Sequence, residues 1–157
     1  MDVLIQERIE GVGLNVAWPY LTQDQKSSFK RQARQIVHAL FTLTGPPGYL
    51  FPDSSGHTPH ERGITQQELG ILFPAGVSDE DLLGFAHNDL QPSNIIVKDD
   101  KIVGLIDWEM AGFFGERAGE VHRTMRGPSR ERVQHLGLSE EKILDVTFWN
   151  DLYEEEG

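Results

Sequence analysis

Two short apolar runs, residues 95–97 (IIV) and 102–106 (IVGLI), are separated only by Lys98, Asp99, Asp100 and Lys101. Runs this short, joined by residues that tolerate turn conformations, predict a β-hairpin. A hairpin fixes register, and register decides which flanking residues meet. With Lys98 opposite Lys101, Asn94 faces Leu105. Asp107 then falls diagonally across from Asn94 on the same face, at the open end of the hairpin.

The segment entering the hairpin, "HNDLQPSN" (residues 87–94), is more polar than a turn requires. Pro92 lets it fold back and bring the Asp89 carboxylate to the same opening. One carboxylate, one amide oxygen and a second carboxylate then converge, a set of hard oxygen donors suited to magnesium and to the phosphates it carries. On reach and charge, Asp107 is expected to bind the metal, and Asn94 to offer a neutral oxygen to the metal or to Asp89. Asp89 would accept the proton of an attacking hydroxyl. His87 is expected to be a buried strut that hydrogen-bonds backbone, neither base nor ligand. His, Asp and Asn also decorate ordinary turns. The second aspartate, placed by the hairpin, is what sets this segment apart.

Around this centre the chain reads as one domain of 157 residues. Residues 4–9 alternate as a short strand ending at Gly11. Residues 22–44 carry the clearest helical pattern, with Phe29, Ala33, Ile36, Val37 and Leu40 at three- and four-residue steps, a capping box of Thr22 and Gln25, and a stop at "GPPG". Residues 49–63 read as a surface loop. "ITQQELGILF" and "SDEDLLGF" each suggest a short helical turn, the second opened by Ser78. A last helix from Ser139 places Ile143, Leu144, Phe148, Trp149 and Leu152 for burial.

The net charge of −11 argues against nucleic acid or an anionic membrane as partner, since both reward a basic face, and it would suit a cationic small molecule. No cysteine is present, which excludes disulfides, thiol catalysis and cysteine-ligated zinc. Acidic residues near the start and the lack of any apolar stretch of membrane length predict a cytoplasmic protein.

Other constellations carry less. His57, His60 and Glu61 in "HTPHE" invite a metal, but Pro59 disfavours the rigid helical spacing of a zinc site. Arg117, Arg123, Arg126, Arg130 and Arg132 could grip phosphate, although a solvated face balanced by Glu116, Glu120 and Glu131 accounts for them. His122 and His135 are expected at the surface, Phe113 and Phe114 as packing, and Trp18, Trp108 and Trp149 mostly as core.

Through His87, Asp89 and Asn94 in "HNDLQPSN", and Asp107 in "LIDWEMAG", the chain resembles the aminoglycoside phosphotransferase and choline kinase family, relatives of the protein kinases. The resemblance implies an α+β fold, a mostly helical large lobe with a short β-hairpin at the catalytic site. It casts residues 1–13 as a hinge-like segment with a strand, whose backbone at Glu7 and Ile9 would meet the adenine edge of ATP. The long helix from Thr22 would be the central helix of that lobe. The family's small lobe, with its phosphate-covering loop and lysine, is expected to be absent, because the hinge-like stretch starts at residue 3. Two functions follow. One is an ATP- and magnesium-dependent phosphotransferase acting on a small-molecule hydroxyl, cationic by the charge argument. The other is a non-catalytic large-lobe remnant, with self-association or a partner covering the cleft face.

Overall fold

The computed structural model describes residues 5–50, 65–126 and 130–154. The expected hairpin is there: β5 (Ile95–Lys98) and β6 (Lys101–Leu105) pair antiparallel, with Lys98 opposite Lys101. Asp99 and Asp100 both take positive φ, 49° and 59°, as a tight two-residue hairpin turn of the primed type requires. The register departs from expectation beyond the turn. A β-bulge lies between Ile96 and Val97, so Ile96 pairs with Gly104 and Ile95 with Leu105. Asn94 therefore faces Ile106 rather than Leu105, and its carbonyl accepts the Ile106 N–H at 3.0 Å. A bulge follows from local packing between the sheet and its neighbours, which pattern alone does not reveal.

The hairpin grows to three strands through β1 (Val12–Gly13), which pairs with Val97 and Ile96. The strand expected over residues 4–9 does not form over its described part. Residues 5–10 have no ladder, and alternation alone cannot make a strand without one. They run beside the hairpin instead, with Ile9 against Gly104 and the Glu10 carboxylate 2.7 Å from Lys98 Nζ. Gly11, at φ 145°, turns the chain into β1 where a Cβ would meet the Val97 carbonyl oxygen at 2.6 Å.

Helix α1 (Leu14–Ala17) and a 3-10 turn, Trp18–Tyr20, lead to the long helix α2 (Gln23–Phe41). The capping box is present: Thr22 Oγ1 accepts from the Gln25 N–H at 3.2 Å, and Gln25 Oε1 accepts from the Thr22 N–H at 2.9 Å. Phe29, Ala33 and Val37 turn inward and join Leu14, Leu90, Ile95, Val97 and Leu152 in the larger core. The α2 face also buries Lys26, whose ammonium sits 2.6 Å from Asp145 and over the Trp18 ring at 5.1 Å. The helix ends before "GPPG", because Thr44 and Gly45 are taken up as strand.

That strand belongs to a second sheet, which the sequence pattern did not suggest. In it β2 (Thr44–Gly45), β4 (Leu83–Ala86), β7 (Gly112–Phe113) and β3 (Gly48–Tyr49) lie in that order, all antiparallel. The expected helical turn at Ser78 is a tight turn, where Asp81 N–H donates to the Ser78 carbonyl, and it leads into β4. Helix α3 (Gln66–Leu72) matches expectation and is capped by Thr65. Its Leu72 packs with Ala86, Phe114 and, from α4 (Arg117–Val121), Ala118 and Val121, in a second core. Helices α5 (Arg130–Val133) and α6 (Glu140–Thr147) complete the fold, the latter capped by Ser139. Ile143 and Leu152 are buried, and Phe148 and Trp149 half-buried, in line with the pattern. Among the described residues no helix is long and apolar enough to cross a membrane.

Candidate active site

Strand β4 delivers residues 87–91 to the mouth of the hairpin. His87 is 1% exposed, and its Nε2 stands 2.9 Å from the Ile106 carbonyl oxygen while Nδ1 accepts from the Asp89 N–H at 3.3 Å. One nitrogen donates and the other accepts, so the ring is neutral with its proton on Nε2. Burial pushes its pKa below the usual value, overcoming its bond to the Ile106 carbonyl and the nearby carboxylates of Asp89 and Asp107. The Trp108 ring packs beside it at 4.6 Å and stacks on Phe85. His87 thus ties the segment bearing Asp89 to Ile106, just past the end of β6 and next to Asp107.

Asp89 is held through both carboxylate oxygens. Oδ1 accepts from Gln91 Nε2 at 2.6 Å and Oδ2 from Asn94 Nδ2 at 3.1 Å. The Asn94 Nδ2 also donates to the Asp89 carbonyl oxygen at 2.8 Å, locking the 3-10 turn Pro92–Asn94 against it. With its NH₂ committed, Asn94 has its amide oxygen left to offer a cation. Gln91 escaped the sequence reading, although it stands inside the quoted motif two residues after Asp89.

Asp107 follows β6 in the left-handed conformation, φ 62° and ψ 62°, where a residue other than glycine is uncommon. Because of the bulge it stands one residue past the Asn94–Ile106 pair. Its left-handed backbone, rather than strand alternation, sets where its exposed carboxylate goes. Asn88 shares the left-handed conformation at φ 62° and is 3% exposed, with both amide atoms buried and without a hydrogen-bond partner.

Asp107 lines an open groove of about 920 Å³ together with Glu7 and Ile9, joined by Leu50, Leu105 and Trp108. The groove therefore gathers the two residues expected at a purine and one of the two expected at the metal, Asp107 but not Asn94. Asp89, Asn94 and His87 are not among its walls and form the bonded cluster beside it. Gly104 sets the approach of residues 5–10, since a Cβ there would strike the Ile9 side chain. The donor chemistry fits magnesium. One carboxylate and one amide oxygen are hard ligands, few enough to leave positions for water and phosphate. Among the described residues no group of three or more His, Asp or Glu side chains is placed to hold a metal by itself.

The other candidates separate. His57, His60 and Glu61, and the side chains of Arg126, Arg130 and Arg132, lie outside the described residues. His122 is not at the surface: it is 5% exposed, with Nε2 2.6 Å from the Trp149 carbonyl oxygen, because the turn after α4 rotates it against Tyr153. His135 is exposed as expected. Arg117 is half-buried instead of lying on a solvated face, while Arg123 is exposed beside Glu154. Phe114 is buried and Phe113 packs on Gly45, in their expected packing roles.

Residues 54–113 match the model of the phosphotransferase enzyme family, a stretch that contains His87, Asp89, Asn94 and Asp107 but not Glu7 or Ile9. No curated protein and no solved structure matches the chain.

Proposed function

We propose that the chain transfers the terminal phosphoryl group of ATP to the hydroxyl of a small, cationic acceptor, a reading supported by the match of residues 54–113 to the phosphotransferase enzyme family. The observation that carries this reading is the doubly anchored Asp89, held by Gln91 and Asn94 at the entrance to the hairpin, with the left-handed Asp107 two residues past the end of β6. Asp89 accepts the hydroxyl proton. Gln91 and Asn94 fix its carboxylate, so little reorganisation is needed at the moment of reaction. Asn94 and Asp107 would hold magnesium, which when bound neutralises the phosphate charge that builds up during transfer. Glu7 and Ile9, which line the same groove as Asp107, are assigned to the adenine through their backbone. His87 keeps Asp89 and Asp107 in register as a neutral strut.

The whole chain is taken as one unit, with residues 1–13 as its hinge-like segment and the cytoplasm as its compartment. Nucleic acid and membranes are not expected partners. The exposed and unladdered residues 5–10 favour a second reading, a lobe that binds nucleotide weakly or pairs with another protein without transfer.

Titration with magnesium-ATP, followed by the fluorescence of Trp108, separates the two. The expected result is a magnesium-dependent change that Asp107→Ala abolishes. Asp89→Asn keeps that change and lowers phosphoryl transfer by at least about 10²-fold, the ordinary worth of a general base. Transfer retained in Asp89→Asn would refute the base assignment. The absence of any magnesium-dependent change in a folded sample rejects nucleotide binding altogether.

A further inference from the structure

Gln91 is half-buried and meets Asp89 through one end of its amide, Nε2 donating to Asp89 Oδ1 at 2.6 Å. Charge fixes which end that is, since the carbonyl oxygen would repel a carboxylate. The other end, Oε1, bonds to no group among the described residues and keeps solvent-accessible surface. The amide of Asn88, three residues earlier, is by contrast sealed from solvent as well as unpartnered. A hydroxyl that gives its proton to Asp89 must stand within hydrogen-bond distance of that carboxylate, where Gln91 Nε2 already stands. Oε1 shares its amide carbon with Nε2. It is therefore an open hydrogen-bond acceptor beside the place of the reacting oxygen.

Resting on the phosphotransfer reading above, we propose that Gln91 sets acceptor specificity. Its Oε1 takes a hydrogen bond from a donor on the carbon next to the attacking hydroxyl, and the acceptor is an amino alcohol that keeps an N–H, not a quaternary ammonium alcohol. The net charge of −11 draws both kinds of cation alike, so Coulomb attraction does not separate them. A quaternary nitrogen has no hydrogen to give. When it displaces water from Oε1, that oxygen is left without a partner, and a site built to bond an N–H rejects the analogue lacking it. The two ends of one amide thus divide the work: Nε2 holds the base, and Oε1 reads the acceptor.

The test is steady-state phosphoryl transfer by the full chain from magnesium-ATP to 2-aminoethanol, N,N-dimethyl-2-aminoethanol and choline. All three carry one positive charge at neutral pH, and the last two differ only by a methyl in place of the N–H. Both N–H-bearing acceptors are expected to exceed choline in kcat/KM by about tenfold or more. Gln91→Met keeps the volume and deletes both ends of the amide, so it should slow all three and bring their ratio near unity. Gln91→Glu keeps an acceptor oxygen but sets a carboxylate against Asp89, so it should slow all three and preserve the preference. Thermal unfolding verifies that both variants fold. A residue that only anchors Asp89 would slow the three equally and leave the ratio untouched. Choline turned over as fast as the dimethyl form, or a preference that persists in Gln91→Met, overturns the proposal and leaves the phosphotransfer reading standing. Transfer to none of the three also overturns it, and the presence or absence of the magnesium-dependent change in Trp108 fluorescence then shows whether nucleotide binding falls with it.

Discussion

Asn88 is the most strained residue beside the candidate site. It combines a left-handed backbone with a buried amide that bonds to nothing. Glycine adopts this conformation freely and carries no amide to desolvate. Asn88→Gly is therefore expected to stabilise the fold by about 1–2 kcal/mol, read from the midpoint of urea unfolding. His87 supplies a prediction of the opposite kind. Its folded pKa lies below its ordinary 6.5, so the unfolded chain takes up a proton that the folded one refuses. Stability contributed by the neutral ring is complete above pH 6.5 and declines as pH falls from there toward the folded value. His87→Gln should flatten that acid limb of the stability profile while lowering stability at neutral pH. A limb of the same slope in the variant would mean that other groups set it.

At the scale of elements, the tie between α2 and α6 rests on Lys26 and Asp145, buried to 6% and 22% side-chain exposure. Removing one partner strands a buried charge. Asp145→Ala is expected to cost about 3 kcal/mol, whereas Lys26→Met, which keeps the stem and deletes the charge, should cost far less. Thermal denaturation of the two variants decides this, and equal losses would contradict it. Lys30 and Arg34 of α2 reinforce the same junction through Asp151. Helix α2 was legible with its cap, as were the hairpin and its turn; the last helix was legible from Ser139, but α6 stops at Thr147, short of Phe148, Trp149 and Leu152. The four-stranded sheet was not. Three of its strands are two residues long, too short for alternation to register, and they exist only because distant residues such as Thr44 and Gly84 pair. At the site, Asp89, Asn94 and Asp107 could be read from motif and spacing. The bulge between Ile96 and Val97 could not, since it falls at the two residues that also pair with β1, a contact that short-range alternation does not encode.

For the whole molecule, the most conspicuous surface runs along its N-terminal stretch. Ile5 is 90% exposed, Val12 52%, Val16 61% and Tyr20 87%, unusually open for large apolar side chains so close in sequence. Apolar surface of this kind drives association that strengthens with sulfate and weakens with urea. The chain is expected to self-associate in sedimentation experiments as concentration rises. The double substitution Ile5→Lys and Tyr20→Lys should return it to a monomer. Association that instead fades with added salt would place its origin in charge.

Gly104 bears on how such a groove can change over generations. Its missing side chain is the seat of Ile9, and Ile9 travels with Glu7 on one strip of backbone. A larger residue at 104 would push the Ile9 side chain out of its seat while leaving Asp89, Asn94 and their hydrogen bonds where they are. One methyl group could thus retune which base or cofactor edge the groove accepts without touching the atoms assigned to the chemistry. Selection for a new donor would then begin at a glycine, in the least reactive residue of the neighbourhood.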